Sequence, residues 1–95
     1  MANVKNIKKD IRYLSELLIA DTLSVSDLLD EPSKTKALEL INEIVVFHNE
    51  LIDRANHPEG KKNSREVKKY YRRLGNDLLT GCHSLYGKIT GLIPE

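Results

Sequence analysis

Residues 64–92 read SREVKKYYRRLGNDLLTGCHSLYGKITGL, and Val67, Tyr71, Leu74, Leu78, Cys82, Leu85, Ile89 and Leu92 recur there every three or four positions. That spacing lays one apolar stripe along a helix for about eight turns. Asn63 or Ser64 can cap its start, with Glu66 at the reciprocal position if Asn63 is the cap. Gly75, Gly81, Gly87 and Gly91 interrupt the pattern. Either the helix breaks near Gly81, or its glycines admit a close backbone approach; one helix, kinked if anywhere at Gly81, is the expectation.

The same period governs the rest of the chain. Val4, Ile7, Ile11, Leu14 and Leu18 mark an amphipathic helix over about 3–20, with Lys5, Lys8, Lys9 and Arg12 on its other side. Ser24 and Asp27 resemble a capping box, which predicts a short helix over about 24–30 carrying Val25, Leu28 and Leu29. Pro32 suits the first turn of a third element over about 32–55. Its apolar set is Leu38, Ile41, Ile44, Val45, Leu51 and Ile52, together with Ala37, His48 and Ala55. So broad a face implies two neighbours. Asn56-His57-Pro58-Glu59-Gly60 ends that helix. The predicted fold is all-α: a small antiparallel bundle of three long helices and one short one, forming a single domain over 1–95.

Composition agrees with that class. The chain has 95 residues, 40% hydrophobic and 31% charged, with no tryptophan. Nothing approaches the ~20 apolar residues of a membrane-spanning helix, and no signal peptide is visible. The lone cysteine, Cys82, cannot form an internal disulfide, which points to a reducing, cytoplasmic setting.

Charge is segregated. The formal net charge is +1, yet residues 60–73 hold seven cations (Lys61, Lys62, Arg65, Lys68, Lys69, Arg72 and Arg73) against Glu66. In the predicted order these cations share an end with Lys5, Lys8, Lys9 and Arg12, making a basic pole, while Asp21, Asp27, Asp30 and Glu31 lie at the other end. A cationic face of this kind can follow a phosphate backbone. The plainer reading is a solvated helix back that balances an acidic neighbour, and the near-neutral total favours it. Tyr70 and Tyr71 flank the stripe as core edges rather than as a base-stacking platform.

No residue set points to catalysis, a cofactor or a metal. Glycine spacing does not match a phosphate loop. Cys82 and His83 are adjacent and so project about 100° apart. Glu50, Asp53 and His57 share a face but point outward at a helix end. His48, in the middle of its helix's apolar arc, reads as a packed, hydrogen-bonded residue. Leu79, Tyr86 and Ile93 remain outside the core stripe at heptad spacing, a helix–helix seam for a second copy of the chain. The expected function is therefore a non-catalytic interaction or self-association module, a homodimer or a partner of another protein. Polyanion or nucleic-acid binding by the basic pole is the alternative.

Overall fold

The computed structural model describes residues 4–58 and 63–94, and these form three α-helices: α1 (Val4–Ser26), α2 (Ser33–Asn56) and α3 (Ser64–Gly91). The helices pack as an all-α bundle measuring 52 × 19 × 16 Å, with no strand among the described residues. None is long and apolar enough to cross a membrane.

The expected short helix over 24–30 is not a separate element. α1 continues through Ser26, and its polar residues bond back to their own helix: Thr22 Oγ1 donates to the Leu18 carbonyl (2.7 Å) and Ser26 Oγ to that of Leu23 (2.9 Å). A hydroxyl satisfied in this way can lie on a buried helix face, and Thr22 is fully buried. Two tight backbone bonds, Leu28 N–H to Val25 and Leu29 N–H to Ser26, then turn the chain out of the helix. Leu29 is buried in the turn, while Leu28 is 77% exposed.

α3 runs unbroken through Gly81. Asn63 is its cap, the side-chain oxygen accepting from the backbone N–H of Arg65 (3.0 Å) and Glu66 (3.3 Å). At the start of α2, Glu31 supplies an anchor the sequence reading passed over. Its carboxylate accepts from both the N–H and the hydroxyl of Thr35 (each 2.8 Å).

Two apolar clusters fill the interior. The first joins Ile7 and Ile11 of α1, Leu51 and Ala55 of α2, and Tyr70, Tyr71, Leu74 and Leu78 of α3. The second joins Leu18 with Leu40, Ile44, Leu85 and Ile89. The starts of α1 and α3 therefore meet the end of α2. The core face of α2 differs from the one expected: Leu38 is 59% exposed and Val45 39%, whereas Leu40 is buried and Phe47 packs against both clusters. The broad apolar arc permits several rotations about the helix axis, and Phe47 selects one by lodging against Gly81 of α3.

Candidate functional site: the α1–α3 edge and the cationic end

At the end where α1 and α3 begin, α3 is anchored to the C-terminus of α2 by two phenols. Tyr70 donates to the Arg54 carbonyl (3.0 Å) and Tyr71 to that of Ala55 (2.8 Å). These carbonyls belong to the last turn of α2, and that of Arg54 also accepts from the backbone N–H of His57 (3.3 Å). The rings meet edge-on, with centroids 5.7 Å apart. Burial, reinforced by Tyr70, pushes the Tyr71 phenol above its ordinary value. The two tyrosines are structural, as their flanking position implied.

With Tyr70 and Tyr71 turned inward, Arg65, Lys68, Lys69, Arg72 and Arg73 project from the exposed back of α3. Their ion pairing among the described residues is slight: Lys69 approaches Glu66 at 3.9 Å. Lys61 and Lys62 lie outside the described residues. The cations of α1 share this end, since Ile7 and Ile11 pack with Tyr70, Tyr71 and Leu74. Arg12 lines a crevice between α1 and α2 with Ser15, Glu16, Ile19, Val45 and His48, whereas Arg72 lines a groove between α1 and α3. Lys5 and Lys9 are exposed and Lys8 is half-buried. Of the residues of the expected basic pole, Arg12 and Arg72 thus line different depressions.

The α1–α3 groove has a cavity volume of about 380 Å³, and Ile7, Tyr13, Leu14, Leu78 and Leu79 are among the residues that line it. Leu79 is 64% exposed and Tyr86 52%. Ile93 lies beyond the last helical residue, in a turn closed by its N–H on the Thr90 carbonyl. Across the groove, Tyr13 (61% exposed) and Leu17 (44% exposed) extend the apolar edge onto α1. The sequence reading missed both, although each stands outside the Ile7/Ile11/Leu14/Leu18 stripe and so was legible as surplus.

The remaining candidates are quieter. His48 is half-buried and its Nδ1 lies 2.9 Å from Asn49 Oδ1. Beside it in the crevice, Ser15 Oγ is buried with no hydrogen-bond partner among the described residues. Cys82 packs against both clusters, and burial pushes its thiol up, which disfavours the nucleophilic thiolate. His57 Nδ1 turns back to Asp53, 3.0 Å from its carbonyl and 3.3 Å from its carboxylate. Among the described residues no three His, Cys, Asp or Glu side chains group to hold a metal ion. No protein-family model, curated protein or solved structure matches this chain.

Proposed function

We propose that this chain is a non-catalytic helical interaction module that associates with a second copy of itself through the α1–α3 edge. The supporting observation is the row of Tyr13, Leu17, Leu79 and Tyr86, each more than two-fifths exposed, beside an apolar groove. Single exposed apolar residues are ordinary, but a contiguous apolar strip on a small protein is characteristic of an interaction surface. Light scattering tests this: a mass near twice the 10.8 kDa of one chain is expected, lowered by Leu79→Glu. A wild-type monomer at high concentration rejects it.

The same proposal takes the chain as one domain with its helices in antiparallel order, α1 up, α2 down and α3 up. Tyr71 bonding to Ala55 near one end, and Lys88 pairing with Glu43 at 2.9 Å near the other, support that order for α2 and α3. The single half-buried cysteine fits a reducing cytoplasm.

Nucleic-acid or other polyanion binding by the basic pole is the second reading, favoured by the exposure of Arg65, Lys68, Lys69, Arg72 and Arg73. It predicts that a fluorescent oligonucleotide binds at about 50 mM salt and is released as salt rises. Lys69→Glu with Arg73→Glu should abolish that binding. No binding by the wild-type protein at low salt removes the reading.

A further inference from the structure

The crevice between α1 and α2 is separate from the α1–α3 edge. Arg12, Ser15, Glu16 and Ile19 line it from α1 and Val45 and His48 from α2, around a volume of about 210 Å³. Spacings of three and four keep the α1 residues on one flank of their helix. Ser15 is only 2% exposed, yet its Oγ has no hydrogen-bond partner among the described residues. Such a group is uncommon in a folded chain, because it gives up its bonds to water without replacement. Since Ser15 lines a depression, a bound molecule can supply the missing bond.

The charged residues of the crevice are uncommitted as well. Arg12 and Glu16 are exposed, and neither forms an ion pair among the described residues. They stand one turn apart with the cation nearer the N-terminus, the weaker order for an i,i+4 pair, so they gain little from each other. His48 Nδ1 lies 2.9 Å from Asn49 Oδ1, and a carboxamide oxygen only accepts, so Nδ1 carries the proton. In the neutral ring Nε2 is then an acceptor. The crevice therefore offers donors from Arg12 and Ser15 and acceptors from Glu16 and His48. Its apolar walls are Ile19, half-buried, and Val45, 39% exposed.

Glu16 repels a simple anion and Arg12 a simple cation, whereas a zwitterion satisfies both. In an α-amino acid the carboxylate and ammonium flank a single carbon, a span that side chains one turn apart can bracket. Pockets for drug-sized ligands run to about 300–1,000 Å³, so this crevice suits a smaller molecule. We infer that the α1–α2 crevice binds a free α-amino acid with a small branched apolar side chain. The Arg12 guanidinium and the Ser15 hydroxyl hold its carboxylate, and the Glu16 carboxylate and His48 Nε2 hold its ammonium. Its side chain lies against Ile19 and Val45. Water screens the exposed charges, so the affinity is modest, with a Kd on the order of 1 mM. Tyr13, Leu17, Leu79 and Tyr86 lie outside this crevice, so the site does not rest on self-association.

Titration of the isotope-labelled chain with L-valine, read by backbone amide shifts in NMR, tests the site. Saturable shifts at Ser15, Glu16, Ile19, Val45 and His48 are expected. Three analogues each lack one recognised group: isovalerate the ammonium, isobutylamine the carboxylate and glycine the side chain. Each should bind about tenfold more weakly than L-valine. Arg12→Gln and Glu16→Gln, at exposed positions, should each lower the affinity for L-valine about tenfold. Ser15→Ala, which keeps a good helix former in α1, should lower it severalfold. Circular dichroism checks that each variant is folded. The inference is overturned by the absence of saturable shifts at these residues, by shifts centred elsewhere, by an analogue that binds as tightly as L-valine, or by any of the three variants binding it as the wild type does. Each of those results leaves self-association through the α1–α3 edge standing.

Discussion

The ring of Phe47 on α2 occupies the space that a side chain at Gly81 of α3 would need: a Cβ there would overlap the Cε1 and Cζ atoms of the ring. Phe47 packs against both apolar clusters, so it joins the two halves of the core along the rod. Glycine inside a helix costs about 1 kcal/mol relative to alanine. Burying an aromatic side chain contributes about 1.5–3 kcal/mol. The second effect wins, and α3 keeps a glycine in mid-helix without breaking.

Gly81→Ala should therefore destabilise the protein, by roughly 1–2 kcal/mol after the gain in helix propensity is set against overpacking. Gly87 has open space around its Cα, so Gly87→Ala should instead stabilise by up to about 1 kcal/mol. Urea unfolding of the two variants gives both signs. Trimming the ring with Phe47→Leu should recover part of the loss in the Gly81→Ala background. If Gly81→Ala were as stabilising as Gly87→Ala, Phe47 could not be what requires the glycine.

Tyr71 predicts an alkaline limit to stability. Burial and the neighbouring Tyr70 hold its phenol above the ordinary 10.0. The folded chain then keeps a proton that the unfolded chain has released, so unfolding is promoted as pH rises. The contribution is complete below about pH 10 and is lost as pH climbs through the raised folded-state value. Cys82, held above its ordinary 9.0 by burial, adds a loss of the same sign that begins about one pH unit lower. Tyr71→Phe should cost about 1–2 kcal/mol near neutrality, because the Ala55 carbonyl loses its donor. Its stability should also fall less steeply than wild type between about pH 9 and 11. Equal slopes in denaturant titrations across that range would exclude Tyr71 as a source of the decline.

Ser15 gives the opposite expectation from most core changes. Its hydroxyl is buried without a partner among the described residues, and an unmet polar group costs about 1–3 kcal/mol of desolvation. Ser15→Ala removes that cost and improves helix propensity, so a gain of about 0.5–1 kcal/mol is expected in thermal unfolding. A loss of stability would mean that the hydroxyl is satisfied in solution, as by a bound water.

The helices and the Asn63 cap were legible because both depend on near neighbours in sequence. Periodicity fixes which residues share a stripe, and a cap needs only a side chain and the next turn. The rotation of α2 was not legible. Leu38, Leu40, Val45 and Phe47 are all apolar, and the choice among them is made by Gly81, more than thirty positions away in another helix. The length of α1 was misread for a related reason: Ser24 and Asp27 match a cap locally, but bonds from Thr22 and Ser26 back into the helix let it continue on a buried face. Within the proposed interaction edge, Leu79 and Tyr86 could be found as residues left over from one stripe. Tyr13 and Leu17 were legible in the same way as surplus to the α1 stripe, but their place beside α3 required knowing which helix lies alongside.

Glu31 and Asn63 anchor the starts of α2 and α3 by different chemistry, and that difference can be measured. Asn63 accepts two backbone bonds through a neutral amide, so Asn63→Ala should cost about 1 kcal/mol with little dependence on salt. Glu31 places a carboxylate beside the positive end of the α2 dipole while accepting from Thr35. Glu31→Gln keeps an acceptor but removes the charge, and should lose about 0.5 kcal/mol at low ionic strength and less in high salt. Thr35→Val leaves the charge and the backbone bond in place and deletes only the hydroxyl donor, so its cost should not depend on salt. A Glu31→Gln loss equally independent of salt would assign the anchor to hydrogen bonding alone and remove the dipole from the account of how α2 begins.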